Sequence, residues 1–253
     1  MAEKSGTSKK NPRAQAEVLE CGTRLKRMVK FDVRMRGKEA VLIGTDEVGR
    51  GCLAGPVVAA AVILPPIRMG SKLSQELEDL NDSKQLSSQQ RERLAETIHR
   101  HALCAIAEAS VEEIETINIL KASLLAMSRA VTSLIEAQAD TAGNYLVAID
   151  GNKKITDLTM EQVTVIDGDA HSASIAAASV IAKVYRDRKM RNLSEQFPHY
   201  RWESNKGYAS AAHREAIKLH GPTSWHRKTF LASVLNEQLT LQFGYDTEEI
   251  EIE

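Results

Sequence analysis

The amino-acid sequence predicts an α/β domain: a mixed sheet flanked by helices, followed by a C-terminal helical segment. Three observations lead there. Short apolar runs rich in Val, Ile, Leu and Ala alternate with longer stretches of helical periodicity. Their order is two adjacent strands, then strands and helices mixed, then helices. The composition, 43% hydrophobic and 26% charged over 253 residues, is that of an ordinary globular chain long enough for one sizeable domain and an appendage.

Residues 1–13 are small, polar and basic and read as a flexible tail. A helix is expected over residues 14–37, with Ala16, Leu19, Leu25, Met28 and Val29 as its loosely spaced apolar positions. Strands follow from Val41 to Thr45 and from Val57 to Leu64, the second stopped by Pro65-Pro66. Residues 66–86 read as loop. Ser87 with Gln90 makes a capping box for a helix to about His101, and Ser110 with Glu113 makes another for a short helix. Between them Leu103 to Ala109 is a third strand. Ile119 to Ala137 reads as a longer helix, with Leu120, Leu124, Met127 and Val131 at helical spacing. Tyr145 to Ile149 and Val163 to Ile166 are two more strands. Ser172 caps a long helix to about Gln196, stopped by Pro198, and Ser210 caps one ended by Gly221-Pro222.

Some function classes are excluded at this level. No apolar run approaches the roughly 20 residues that span a bilayer, and the polar, basic N-terminus lacks the apolar stretch of a secretory signal. Three widely spaced cysteines, Cys21, Cys52 and Cys104, suit a reducing compartment and give neither a zinc pattern nor a disulfide frame. A soluble, cytoplasmic, monomeric protein is expected. The formal charge of −1 hides segregation. Residues 1–40 hold 11 Lys/Arg against 5 Asp/Glu, residues 171–230 hold 11 against 4, and residues 231–253 hold 6 acids and no Lys/Arg. Two basic stretches suit a chain that meets phosphates over part of its surface, although such runs also serve as plain solvated faces.

The carboxylates at strand ends carry the chemistry. Phosphodiester hydrolysis needs an activated water and neutralised charge on two oxygens, which divalent ions held by carboxylates can supply. Asp46 and Glu47 end the first strand. Successive side chains on a strand face opposite sides, so both reach one site only if the chain leaves strand geometry at Glu47, which Gly49 and Gly51 would permit. Asp150 ends the strand from Tyr145, where Asp-Gly is also a common turn dipeptide. Asp169 stands just before the long alanine-rich helix, where an acid also favours a helix start, and Asp167 is assigned that role alone.

An ordered set of blocks then resembles one family. They are Gly44-Thr45-Asp46-Glu47-Val48-Gly49-Arg50-Gly51 with Ala54-Gly55-Pro56-Val57-Val58, Asn81-Asp82-Ser83-Lys84-Gln85-Leu86, and Asp150-Gly151-Asn152. Asn118-Ile119-Leu120, Ala126-Met127, Gly168-Asp169-Ala170, Ile175 through Lys183, Arg186-Asp187, Asn205-Lys206-Gly207-Tyr208 and Gly221-Pro222 with His226-Arg227 complete it. Over residues 40–230 the chain resembles bacterial ribonuclease HII, the type 2 ribonucleases H. The resemblance implies a ribonuclease H-like catalytic domain over residues 39–230, including the C-terminal helical part. Residues 14–38 would be an N-terminal helical extension and residues 231–253 an acidic tail. It implies an endonuclease that cuts the RNA strand of RNA–DNA hybrids and nicks 5′ of single ribonucleotides embedded in duplex DNA, leaving a 3′-hydroxyl and a 5′-phosphate. That activity belongs to replication and ribonucleotide repair. Asp46, Glu47, Asp150 and Asp169 would bind Mn²⁺ or Mg²⁺ in two-metal catalysis.

Distinguishing RNA from DNA requires touching the 2′-hydroxyl. Gly49 and Gly51 let backbone approach a shallow minor groove, and Arg50 adds a side-chain contact. By resemblance, Tyr208 would stack on the sugar beside the ribonucleotide. Lys84, Lys183, Arg186 and Lys206 are candidate phosphate contacts. Cys52 departs from the family, which often has proline there. In the tail, Gln238-Leu239-Thr240-Leu241-Gln242-Phe243 resembles the peptide by which bacterial proteins dock on the sliding clamp, with Gln238 as polar anchor and Leu239, Leu241 and Phe243 as apolar ones. The reading from another class is a non-catalytic nucleic-acid-binding module on the same fold, which would gain little from four acids facing phosphates.

Overall fold

The glycine-rich turn after the first apolar run folds the next one back against it. In the computed structural model, which describes residues 12–38, 40–138 and 143–232, β1 (Val41–Val48) and β2 (Val57–Ile63) pair antiparallel, with Glu47 opposite Ala59. β3 (Leu103–Ala109) pairs antiparallel with β2. β4 (Tyr145–Asp150) joins the other side of β1 in parallel, and β5 (Glu161–Val165) joins β4 likewise. The sheet is mixed, in the order β3-β2-β1-β4-β5.

Helices cover both faces. On one, α1 (Pro12–Arg36), α3 (Ser88–His101) and α7 (Ala173–Gln196) share a core with Val58, Ala60 and Val62. On the other, α4 (Val111–Ile117) and α5 (Ile119–Glu136) pack on Val57, Ala59, Ala61, Val147 and Ile149. The near-continuous apolar run of β2 is what a strand buried on both faces requires, and its alanines leave room for helix backbone on either side. The two predicted capping boxes are present at Ser87 and Ser110.

α7 is the central helix, and every residue from Ala173 to Ala182 is buried. Ser172 caps it by accepting from the Ile175 amide. Asp32 of α1 accepts from both the amide and the hydroxyl of Ser174, each at 2.9 Å. The start of α7 lies so close to β1 that a Cβ on Gly44 would stand 2.2 Å from the Ser174 carbonyl carbon.

The remaining helices are short: α2 (Lys72–Glu76), α6 (Gly168–His171), α8 (Trp202–Asn205) and α9 (Ala211–His220). A separate apolar cluster, including Met190, Tyr200, Trp202 and Ile217, seats the C-terminal part on Leu53 and Ala54. The C-terminal helices therefore pack directly on the turn between β1 and β2.

Three expectations change. β1 does not end at Thr45 but continues to Val48, because β2 offers ladder partners that far. The stretch 66–86 is not all loop: it holds α2, capped by Ser71, and a single 3-10 turn at Ser83–Gln85, capped by Asp82. α5 turns small residues such as Ala122, Ala126 and Ala130 to the sheet, together with Met127, Val131 and Leu134, and leaves Leu120 exposed. Among the described residues no helix is long and apolar enough to cross a membrane. Most of the expected basic tail, and the acidic tail with Gln238, Leu239, Leu241 and Phe243, lie outside the described residues.

Because Gly44 sets how closely α7 approaches the sheet, Gly44→Ala is expected to cost about 3 kcal/mol of stability. Urea unfolding followed by circular dichroism measures it, and an unchanged midpoint would contradict this packing.

Candidate active site

Glu47 stays within β1, so the predicted departure from strand geometry there does not occur; the chain turns only at Gly49, at φ +93°. Asp46 and Glu47 therefore leave the strand on opposite faces. Asp46 points to the α7 side, where the Ser179 hydroxyl donates to it. Ser83 lies 2.9 Å from Ser179, oxygen to oxygen. The Glu47 amide donates to Asp46 Oδ1 at 2.7 Å.

The parallel register of β1 and β4, with Thr45 beside Ile149, places Asp150 beside Asp46 on the same face. Asp150 Oδ1 accepts from the Gly168 amide at 2.7 Å. That bond holds the start of α6, which carries Asp169. Asp46, Asp150 and Asp169 thus lie within electrostatic reach of one another at one end of the central strand pair, and Glu47, on the other face of β1, is felt by Asp46 and feels Asp150.

Burial pushes the Asp46 carboxyl well above the usual carboxylate range, and repulsion from Glu47, Asp150 and Asp169 adds to it. Burial also raises Glu47 against the pull of Arg50, which pairs with it at 3.1 Å. Asp150 is raised by burial despite its Gly168 bond and the nearby Lys84. Asp169 is pushed up to about 6, by burial first and then by Asp82 and Asp150, with Asp82 also sharing a hydrogen bond. Burial opposes the charge of Lys84, but Asp82, Asp169, Asp46 and Asp150 outweigh it and hold the ammonium above its ordinary pKa.

This surplus of buried negative charge, made entirely of hard oxygen donors, fits divalent cations such as Mg²⁺ or Mn²⁺. Among the described residues no three of these groups already converge as ligands of one ion. Glu47 is engaged by Arg50, Asp150 by the Gly168 amide and Asp169 by Asp82.

The turn beside the acids is braced from below. Arg227 is fully buried and donates to the carbonyls of Gly49 at 2.7 Å, Arg50 at 2.8 Å and Gly55 at 2.8 Å. Arg186, also fully buried, donates to Ala54, Pro56 and Lys206 carbonyls at 2.9, 3.0 and 2.8 Å. The expectation that Arg186 contacts phosphate is therefore corrected: its guanidinium has no exposed surface and serves backbone carbonyls. Gly49 must be glycine, since a Cβ would meet Arg186 Nε at 2.2 Å. A Cβ on Gly51 would meet nothing within 4 Å. Arg50 keeps 53% of its side-chain surface exposed.

Tyr208 is 40% exposed, the Cys52 thiol near it donates to the Lys206 carbonyl at 3.8 Å, and burial pushes the Tyr208 hydroxyl up to about 12. Lys183 pairs with Asp187 at 2.6 Å and stands 5.7 Å from the Tyr208 ring. Lys206 has a left-handed backbone, donates to the Glu203 carbonyl, and has its pKa lowered by burial. Lys84 and Lys183 thus lie beside the acids and Tyr208, while Arg186 is withdrawn. The roles of Asp82, Ser179 and Arg227 were not read from the sequence. Asp82 and Ser179 meet the acids only across the sheet–helix interface, and no local pattern marks a buried arginine.

Comparison with known proteins decides the family. The family model described as Ribonuclease HII matches residues 43–233. The chain belongs to the ribonuclease HII family. It is 50% identical over 201 residues to the Ribonuclease HII of Parabacteroides distasonis, covering 79% of this chain and 94% of that one. Among solved structures, it is similar to one titled as the PCNA:RNase HII complex from Archaeoglobus fulgidus. That match has a TM-score of 0.59 and 26% identity, over 74% of this chain and 94% of that one. It shares its fold with Bst-RNase HIII, solved in complex with Mn²⁺, at TM-score 0.65 and 21% identity over 84% and 73% of the two chains. As a ribonuclease HII, the chain is an endoribonuclease with a ribonuclease H-like fold.

Asp169 titrates near 6 when folded against 3.8 for an ordinary aspartate. Its charge therefore costs stability fully above the folded value, and the cost vanishes below the unfolded one. Asp169→Asn is expected to raise the melting temperature of chelator-treated protein at pH 8 and to leave it unchanged at pH 3.5. Melting curves at the two pH values check this.

Proposed function

We propose that this ribonuclease HII hydrolyses the RNA strand of RNA–DNA hybrids and nicks 5′ of single ribonucleotides embedded in DNA, using two divalent ions. The meeting of Asp46, Glu47, Asp150 and Asp169 beside an exposed Gly-Arg-Gly turn carries this reading. These four residues would hold Mg²⁺ or Mn²⁺. When bound, such ions activate water and neutralise charge on the attacking and leaving oxygens.

The protein's own groups divide the remaining work. Asp150 orders the start of α6 and with it Asp169. Ser179, backed by Ser83, orients the Asp46 carboxylate. Lys84 offsets part of the acids' charge and stands where a substrate phosphate would approach, with Lys183 and Lys206 farther along toward Tyr208. Gly51 offers backbone at the surface with nothing behind a would-be side chain, which suits contact with a 2′-hydroxyl in a shallow groove. Arg50 extends from the same turn, and Tyr208 offers a ring for stacking on the neighbouring sugar. The segment from Gln238 to Phe243 would dock on a sliding clamp, a reading supported by the archaeal relative solved with PCNA. Loss of clamp binding by the full chain on Leu241→Ala with Phe243→Ala tests that part.

A duplex with one embedded ribonucleotide tests the whole. The wild type should nick it only with a divalent metal and leave all-DNA duplex intact. Asp46→Asn should lower kcat roughly a thousandfold, given several kcal/mol of charge stabilisation by the ions. Wild-type protein that binds this duplex but never cuts it with either metal would overturn the reading in favour of a binding module. Gly51→Ala should leave the melting temperature unchanged and raise KM for the same duplex. Equal KM values would remove the turn from substrate recognition.

A further inference from the structure

Beneath the proposed substrate face lies a buried chain of hydrogen bonds that the reaction does not use. His213 and His226 have essentially no exposed surface, and their Nε2 atoms are 3.2 Å apart. His213 Nδ1 lies 2.8 Å from the Tyr208 carbonyl, which can only accept. That nitrogen therefore carries the proton, and His213 Nε2 is an acceptor. It accepts from Trp202 Nε1 at 3.0 Å. His226 Nδ1 accepts from the Thr223 amide at 2.9 Å, so His226 carries its proton on Nε2 and donates it to His213. The two rings are locked in opposite neutral tautomers.

Both rings stay neutral because burial lowers their pKa values, His226 to about 4. No acid faces them. The groups packed around them are the rings of Tyr200 and Trp202, and the Tyr200 hydroxyl is spent on the Gly221 carbonyl. Arg227, next in sequence, points its guanidinium away to the Gly49–Gly55 carbonyls.

We infer that the His213–His226 pair is a positioning device that sets Tyr208 in register with the Gly49–Gly51 turn. Two adjacent residues make the connection. His226 reaches Tyr208 through His213, while Arg227 grips the turn. The segment itself is pinned between them, since the Arg227 amide donates to the Leu53 carbonyl and His226 bridges Ala54. The Tyr208 carbonyl also accepts from the Ser210 amide at 2.8 Å, which fixes its place on its own loop. Neighbouring bonds also tie this loop to the turn, since the Leu53 amide donates to the Gly207 carbonyl at 2.8 Å and Arg186 joins the Lys206 carbonyl to those of Ala54 and Pro56; the histidine bond adds a tie at the carbonyl of Tyr208 itself. The inference rests on the proposed role of Tyr208 as a substrate contact.

Two substitutions at one position separate positioning from packing. Asparagine at 213 places an amide N–H near the former Nδ1 and keeps a donor for Tyr208. Glutamine places an oxygen near the former Nε2, keeping the acceptor for Trp202 and His226 but losing the Tyr208 bond. His213→Gln should raise KM for the single-ribonucleotide duplex about three- to tenfold, the worth of one buried hydrogen bond, and act on KM rather than kcat. His213→Asn should give a clearly smaller rise. In a Tyr208→Ala background, His213→Gln should add nothing further. Equal KM shifts for the two variants, or a glutamine effect that persists without the Tyr208 ring, would overturn the inference. If Tyr208→Ala alone leaves KM unchanged, the role of Tyr208 fails first and takes the inference with it. Should His213→Gln not fold, nitrogen-15 NMR of the wild-type imidazoles decides: protons on Nδ1 of His213 and Nε2 of His226 are expected, and the same tautomer in both rings would sink it.

Discussion

Arg186 and Arg227 lie fully buried, with no carboxylate among the described residues bonded to either, and together they hold six backbone carbonyls of the β1–β2 turn and the Lys206 loop. A guanidinium out of water is costly unless its donors are all met. Here carbonyl dipoles meet them. Burial lowers Arg227 to about 10, which still leaves it charged at neutral pH. The consequence is a turn held from below at the carbonyls of Gly49, Arg50, Ala54, Gly55 and Pro56. Arg186 comes from α7 and Arg227 from beyond α9, so the same bonds dock the C-terminal part against the sheet. The shape of the turn and the placement of the C-terminal lobe are a single constraint.

The acid cluster works in the opposite sense. Four carboxylates, three of them on β1 and β4, are brought to one end of the sheet by backbone pairing, and burial raises every one of them, with repulsion from others of the set adding at Asp46, Glu47 and Asp169. The sheet tolerates this because its interior is otherwise apolar on both faces, with β2 and α7 contributing packing that offsets the cost. Strain of this kind at a site, carried by a well-packed scaffold, is the ordinary relation between function and stability. Lys84 and Arg50 relieve part of the charge, which is enough for folding but leaves a demand that cations can meet.

The layered fold was readable because its signals are local. Ser87, Ser110, Ser172 and Ser210 each cap the helix they announce, and the strands at Leu103 and Tyr145 begin where their apolar runs begin. Asp46, Glu47 and Asp150 stand out locally because they sit at the ends of such runs, and Asp169 because it stands just before the long helix. What the sequence hid is whatever depends on a distant partner. How far β1 extends depends on β2, so the geometry at Glu47 was misjudged. Arg186 looked like a surface cation because arginine is rarely buried, and only the carbonyls of residues 130 and more positions away reveal why it is. The links from Ser179 to Asp46 and from Asp82 to Asp169 likewise join elements that are far apart in sequence.

The arginine clamp and the histidine pair together explain why the C-terminal lobe belongs to the site although it holds none of the four acids. The acids are fixed by the sheet and by α6. The turn is fixed by Arg227, and Tyr208 by His213 through His226. Since His226 and Arg227 are neighbours, any shift of that segment moves turn and tyrosine together relative to the acids. Under the proposed function, recognition of the sugar and placement of the scissile phosphate are then rigidly coupled. A duplex that fits the turn and the ring brings its backbone to the carboxylates at a fixed distance, and a duplex that lacks the 2′-hydroxyl loses its hold where the distance is set.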